Sequence, residues 1–498
     1  MNVASAFVPH TDVGGIARPA GELDIARALA PYNGPWNERL AAHLLRRAGF
    51  GGTAAEVSRL AAMPLHEAVD SLLQLPDPDG LTPPGDLVSF GAQVAQLFPN
   101  GRPKDADDMQ RRAIFQQIRK SEIASILSLQ NWWLNRMLNA PAPLQEKMAF
   151  YFHGHFTTAA VQKNVDPQMA FAQNQLFREY ALGNLRNLTW QVSIDPAMLI
   201  YLDNATNVAQ HPNENYAREL MELFTLGVDQ YTENDVREAA RAWSGWVVNR
   251  RTGSAQFIPR RHDSGTKTFL GQTGNWGGQD IVNIIYRQPA CASFWANGLL
   301  NFFVYNNPEP ALVSAVAQLL TSHDFELRPV LSTVLRSNVF FSQRAYRALV
   351  KSPVEFVVGT YKAFGLDQIG EQGQRALNQM GQVLFYPPNV AGWPGGANWL
   401  TSQTVIARAN FVAGLVNSPA MSDAAWINEV PMQAAPAANL LVQRILAGDA
   451  SPKALTQLAQ YLNGANTSAL GTLSPENFQE RVRGAAYLTM AMPAYQLG

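Results

Sequence analysis

Apolar residues recur along most of this chain at spacings of three and four, the period that lays them on one face of an α-helix. The segment 37–48 sets Leu40, Leu44 and Leu45 on one side and stops at Gly49 and Gly51. Thr53 with Glu56 makes a capping box for 53–63, and Pro64 suits the first turn of 65–73. A long helix is expected over 109–139, with Ile114, Ile118, Ile126, Leu129, Trp133 and Met137 along its stripe. Pro141 and Pro143 end it and start the next, 144 to about 153. Pro212 and Gly227 bracket a helix over 213–227, and Thr232 or Asn234 caps another that ends near Trp243. Further helices follow at 279–286, 290–303, 310–321, 328–337 and 353–364, and again across 434–495, where Ser474, Pro475 and Glu476 make a strong start. Only 246–271 changes period. There Val247, Val248, Phe257 and Ile258 flank Thr252, Gly253 and Ser254, the pattern of a small β-hairpin.

The expectation is a mainly α protein, a large multi-helix globular array with a small β-hairpin insertion near 246–271. Its expected parts are an N-terminal extension over 1–36, a main helical domain over 37–430, and a C-terminal helical segment over 431–498 packed on that domain. Residues 76–108, rich in Pro, Gly and Asp, read as a loop insertion. No fixed-length repeat is present, which argues against a solenoid.

Composition narrows the function classes. A chain of 498 residues buries a sizeable core without staples. Its 47 % apolar and 15 % charged content excludes disorder as a global description. Lys and Arg total 38 against 39 Asp and Glu, so no net field draws it to nucleic acid or an anionic membrane. Cys291 is the single cysteine and, between Ala290 and Ala292, reads as a small buried hydrophobe. No disulfide within the chain and no cysteine-held zinc or iron–sulfur centre can form. No run of apolar residues is long enough for a membrane span. Residues 1–15 lack a basic stretch followed by an apolar run, so the chain as it stands reads as cytoplasmic, or as periplasmic or secreted if a leader has been removed.

Four polar clusters carry candidate chemistry. His153 and His155 lie two apart, beside Gly154. On extended chain both imidazoles point the same way and can share a metal ion; on a helix they diverge. Glu146 lies two helical turns before His153. Next, Glu214, Arg218 and Glu222 form a charged stripe with Glu219 on its flank. Buried, such carboxylates need an arginine, a metal or a shared proton; exposed, they only support the helix. The third cluster is Arg261, His262, Asp263 and Lys267, where the His–Asp step suits a ligand pair or an oriented base, or else turn chemistry. In the fourth, over 387–399, Trp393 and Trp399 stand among glycines and prolines, either as a stacking platform or as buried pins for a loop.

Within these clusters the strings LQEKM and FHGHF, PNENYAREL, HDSGTKTFLG and PPNVAGWPGG, in that order, resemble one bacterial family, known as domain of unknown function 1800. The resemblance runs from about Asn37 to the C-terminus. It implies a long, mostly helical protein, often exported, often by the twin-arginine route, and often encoded beside a second secreted, sulfatase-like family. It carries over no catalytic residues.

Three functions are compatible with these residues. The leading one is a metal-dependent enzyme, a hydrolase rather than an oxidoreductase, acting on a small-molecule or glycan substrate. In it His153, His155 and His262 hold Zn, Mn or Fe. Glu214, Arg218, Glu219 and Asp263 would serve the chemistry, and Trp393, Trp399, Arg261 and Lys267 the substrate. The second is a metal-free carbohydrate-active hydrolase or lyase using paired carboxylates. The third is a non-enzymatic helical scaffold for a co-encoded protein partner.

Overall fold

The computed structural model describes residues 24–75, 81–85, 87, 108–160, 165–249, 252–422, 424–464, 473 and 475–498. Residues 1–23 of the expected extension, and most of the expected loop insertion near 76–108, lie outside them. The protein is mainly α, with two small antiparallel hairpins.

Short-range signals set the helix ends. Asn37 accepts from the Leu40 amide and opens α1 (Glu38–Arg47). Thr53 and Glu56 complete the capping box of α2 (Ala54–Ala61). The long α3 (Asp108–Asn139) follows, and Pro143, at a position whose amide needs no helical partner, opens α4 (Pro143–His155). Asp166 caps α5 (Pro167–Glu179), and Thr232 with Asp235 boxes α6 (Glu233–Ala242). Beyond the hairpins lie α7 (Pro289–Phe303) and α8 (Pro353–Phe364), which starts on a Ser352/Glu355 capping box. The C-terminal helices are α9 (Ser402–Val416), α10 (Ala434–Leu446), α11 (Pro452–Asn463) and α12 (Phe478–Ala491).

Two local expectations are corrected. The hairpin region holds two ribbons rather than one. The first pairs β1 (Trp246–Asn249) with β2 (Ser254–Phe257); the second pairs β3 (Lys267–Phe269) with β4 (Gln272–Gly274). Leu270 and Gly271, both at positive φ, turn the second ribbon past the boundary expected near 271. The helix expected over 213–227 is a short α-helix, Asn215–Glu219, continued as a π-helix, Leu220–Thr225. The Leu226 and Gly227 amides both return to the Met221 carbonyl, and the Thr225 hydroxyl closes on Leu220.

One continuous apolar core runs from Ala28 to Tyr495 and contains the fully buried Trp133, Trp243 and Trp295. Each large side chain removed from water contributes about 1.5–3 kcal/mol. α4 packs on α3 and α5; α8 packs on α3 and α10; α10 and α9 both meet α12. Arg347 ties the C-terminal segment down: it donates to the Leu446 carbonyl at 2.7 Å and to Asp449 at 2.6 Å. Cys291 is buried and its thiol is pushed up by desolvation, which keeps it unreactive. No described helix is long and apolar enough to cross a membrane.

Candidate functional site

The first and fourth sequence clusters meet. α4 runs through Gly154 and ends at His155, and the loop 387–399 lies against that end. Gly392 makes the contact possible. It sits at φ +80°, and a Cβ there would lie 2.6 Å from the Gly154 carbonyl. The Thr157 hydroxyl donates to the Val390 carbonyl and fixes the same joint. Trp393 follows, its ring 5.6 Å from that of His153. The short 3-10 turn Gly396–Trp399 then buries Trp399.

Between this corner, the end of α7 and the start of α8 lies a cleft of about 350 Å³. Its walls include Tyr151, His155, Trp393 and Trp399, with Asn301 and Asn306 across from them. Gly298 of α7, lacking a Cβ, leaves room for the Tyr151 hydroxyl, which would stand 2.6 Å from one. That hydroxyl takes no hydrogen bond from the described residues, and neither does the Asn306 amide. Gln382 uses its oxygen on the Val354 amide at 2.9 Å and keeps its NH₂ group. Glu355 and Arg47 supply the charge. Burial works against the Glu355 carboxylate, yet Lys147, Arg47 and the Ser352 amide hold it at about 2. Arg47 donates to the carbonyls of Phe302 and Phe303.

The two histidines of the first cluster do not share a site. The helix continues through Gly154, so their rings leave α4 on different sides. His153 is buried against Trp133 and Phe385, and its Nε2 accepts from the Phe385 amide at 3.0 Å. That nitrogen is therefore unprotonated. His155 does the reverse: its Nε2 donates to the Phe224 carbonyl at 2.9 Å, and its ring lies on Trp295. Burial pushes His153 down to about 3 and His155 to about 4, so both are neutral near pH 7. His262 stands elsewhere, with Nδ1 on the Ser244 carbonyl at 2.9 Å and Phe257 against its ring. The expected convergence of His153, His155 and His262 is thus corrected. Among the described residues no group of three or more His, Cys, Asp or Glu side chains is placed to hold a metal ion.

The acidic stripe is partly exposed. Arg218 grips Glu233 through both oxygens, at 2.7 and 2.8 Å, and Glu214 at 3.3 Å. The π-turn changes the register after Glu219, and Glu222 takes its hydrogen bond from the Tyr231 hydroxyl at 2.7 Å. Burial and the nearby Glu222 raise Glu219, against the pull of Arg218. Around the hairpins, Arg241 of α6 is the hub, holding Asp263 at 2.8 and 3.1 Å and Glu238 at 2.9 Å. Asp263 also accepts from the Gly265 amide, an Asx turn. Arg241 above all, with that turn, holds Asp263 below the usual carboxylate range. Lys267, 1 % exposed, donates to the carbonyls of Asp263 and Gly265. Arg261 is exposed. Hence Glu214, Arg218, Glu219, Arg261, Asp263 and Lys267 all stand away from the cleft. Of the sequence candidates, the cleft gathers His155, Trp393 and Trp399.

Sequence reasoning missed Tyr151, Arg47, Asn301, Asn306, Glu355 and Gln382. For two of them a signal existed. Arg46 and Arg47 follow Leu44 and Leu45 in a chain poor in charge, and Glu355 completes a Ser-Pro-x-Glu helix start.

The family described as Protein of unknown function (DUF1800) matches residues 43–497. No curated protein and no solved structure matches the chain.

Proposed function

We propose, on the premise that the chain belongs to the DUF1800 family, that the cleft between Tyr151 and Trp393 binds an acidic sugar unit of a glycan. The observation that carries this reading is the lining itself: indole faces beside the Asn306 amide, the NH₂ group of Gln382 and the Tyr151 phenol, none of which spends its hydrogen bonds on the described residues. Sugars present apolar C–H faces for stacking and hydroxyls for amide pairing, and this lining offers both. Arg47 supplies positive potential for a uronate carboxylate.

The chemistry favoured is elimination rather than hydrolysis. A glycosidase pair needs two carboxylates across the scissile bond. Of the residues lining the cleft only Glu355 is acidic, and it is held ionised by Lys147. Elimination needs a base beside the carbon next to the uronate carboxyl and a proton for the departing sugar oxygen. His155, with Nε2 protonated and Nδ1 bare, suits the first role; the Tyr151 hydroxyl suits the second. The base takes the ring proton, the bond to the leaving oxygen breaks, and that oxygen takes the proton from Tyr151. No metal ligand is required.

Titration with acidic oligosaccharides, followed by tryptophan fluorescence with EDTA present, tests the binding step. Saturable quenching is expected, weakened about tenfold in Trp393→Ala. Tyr151→Phe should bind normally and form no unsaturated product by ultraviolet absorbance. No saturable response to any acidic or neutral glycan would sink the reading. One equivalent of a transition metal that is lost in the His153/His155 double alanine variant would return the metal-dependent hydrolase to the lead.

A further inference from the structure

On the other side of Glu355 lies a second cavity, of about 200 Å³, between α1, α8, α10 and the segment around Tyr495. Its walls are mostly apolar, with Phe50, Val57 and Leu440 among them; they carry Glu38, Glu355 and the terminal Gly498, and also two cations, Lys351 and Arg46, that no ion pair reaches from the described residues. Lys351 is 7 % exposed. Its ammonium sits 3.7 Å from the centre of the Tyr495 ring, and no hydrogen bond or ion pair reaches it from the described residues. Arg46 has its Nε and Nη2 buried without a hydrogen-bond partner.

The carboxylate side chains nearby are taken. Glu355 is bound to Lys147 and to the Ser352 amide. Asp449 accepts from Arg39, Arg347 and the Tyr346 hydroxyl. Glu38 accepts from Ser58 and Gln443. Arg444, a third cation on the wall, pairs with Glu429. Behind Lys351 stand two more cations: Arg408, which donates to the Lys351 carbonyl, and Arg347. A buried charge without a partner costs several kcal/mol, so a site with two of them is complementary to an anion.

We propose that this cavity binds a small organic carboxylate, its oxygens between Lys351 and Arg46 and its short apolar tail against Phe50, Val57 and Leu440. The enclosed volume takes a group of several non-hydrogen atoms, and an apolar tail matches walls that a bare inorganic anion leaves unfilled. Tyr495 and Lys351 belong to this cavity and not to the cleft, while Glu355 lines both. The site therefore stands independently of the glycan reading, and either can fail alone.

Burial holds Lys351 well below the usual lysine value, with Arg347, Arg46 and Arg408 adding to the effect and Glu355 opposing it.

Isothermal calorimetry of the full chain with butyrate, benzoate and inorganic phosphate tests the proposal. Saturable heats are expected for the two carboxylates, and much weaker binding for phosphate. Lys351→Met should lower carboxylate affinity by about tenfold or more, and without ligand it should melt no lower than the parent, since a buried unpaired charge has been removed. Arg46→Met gives the same reading should Lys351→Met fail to fold. Absence of heat with every probe up to about 50 mM, or unchanged affinity in both variants, would overturn it. Equal affinity for phosphate would also overturn the choice of a tailed carboxylate.

Discussion

The cleft and the hairpin cluster are both polar, both built from strings that stand out in the sequence, and they differ in what their polar groups do. Around Arg241 the charged donors have acceptors: Asp263 and Glu238 take the guanidinium, Gly265 closes on Asp263, and Lys267 caps two carbonyls. Such a network holds the second ribbon, with strands of three residues, onto α6, a ribbon too short to persist alone. In the cleft the count comes out the other way. The Tyr151 hydroxyl, the Asn306 amide and the NH₂ of Gln382 face open volume. Density of charge in a sequence therefore marks where the chain must be tied. Polar groups left over after folding mark where something else can bind.

The sharpest way to break this contrast is to damage the support of each region and read stability and ligand response together. The cleft rests on α4, and α4 is fixed by Glu146, fully buried, with Trp133 at 2.9 Å, Arg136 at 2.6 Å and Arg178 at 2.7 Å. Glu146→Gln leaves the buried Arg178 guanidinium and the half-buried Arg136 guanidinium facing a neutral amide. A loss of about 3–5 kcal/mol is expected by denaturant unfolding, together with the fluorescence response of the cleft. A loss under about 1 kcal/mol would mean that this network is open to solvent.

Lys267→Met should do less, and selectively. It leaves the carbonyls of Asp263 and Gly265 without their donor, for a loss of about 1–3 kcal/mol. Glycan binding at the cleft should not change, because no group of the hairpin cluster lines it. If binding fell with stability intact, the cluster would have to be counted as part of the site.

How far the sequence carried this picture follows from the range of each interaction. Helix ends are local: the capping boxes at Thr53 and Ser352, and the proline starts at Pro143 and Pro353, act within four residues and can be read directly. The π-turn at Leu220–Thr225 is not local in that sense. No residue there forbids an α-helix, and its register is chosen by packing, with the Phe224 carbonyl meeting His155 from 69 positions away. The meeting of the first and fourth clusters depends on Gly392 against Gly154, a contact between segments more than 200 residues apart. His153 and His155 were conspicuous as a pair, but their geometry turned on one question, whether the helix stops at Gly154. Glycine permits a stop without requiring one, and here α4 continues to His155.

The smallest expected effect concerns that pair and appears only as acid is added. Both imidazoles are held neutral by burial, His153 at about 3 and His155 at about 4, against an ordinary value of 6.5. The unfolded chain therefore binds protons more tightly than the folded one, and acid favours unfolding. This contribution to stability is whole above about pH 6.5. It drains as pH falls, through about 4 for His155 and about 3 for His153, by up to about 1.4 kcal/mol per pH unit for each histidine. Glu355, held at about 2, drains in a lower window that opens only below the ordinary carboxylate value of 4.5. The interval from 6.5 to 4.5 is shared: buried His43, also held below the ordinary value, adds to the loss, while buried Asp195, raised to about 7, gains a proton on folding and opposes it. His153→Gln keeps an acceptor for the Phe385 amide and removes the titration. It should match the parent closely at pH 7.5 and lose stability less steeply between pH 6.5 and 4.5, in denaturant midpoints taken across that range. A variant that loses stability as steeply as the parent over that range would show that the His153 imidazole is reached by water. The corner behind Trp393 would then be wet, and the cleft and the hairpin cluster would differ less than the packing indicates.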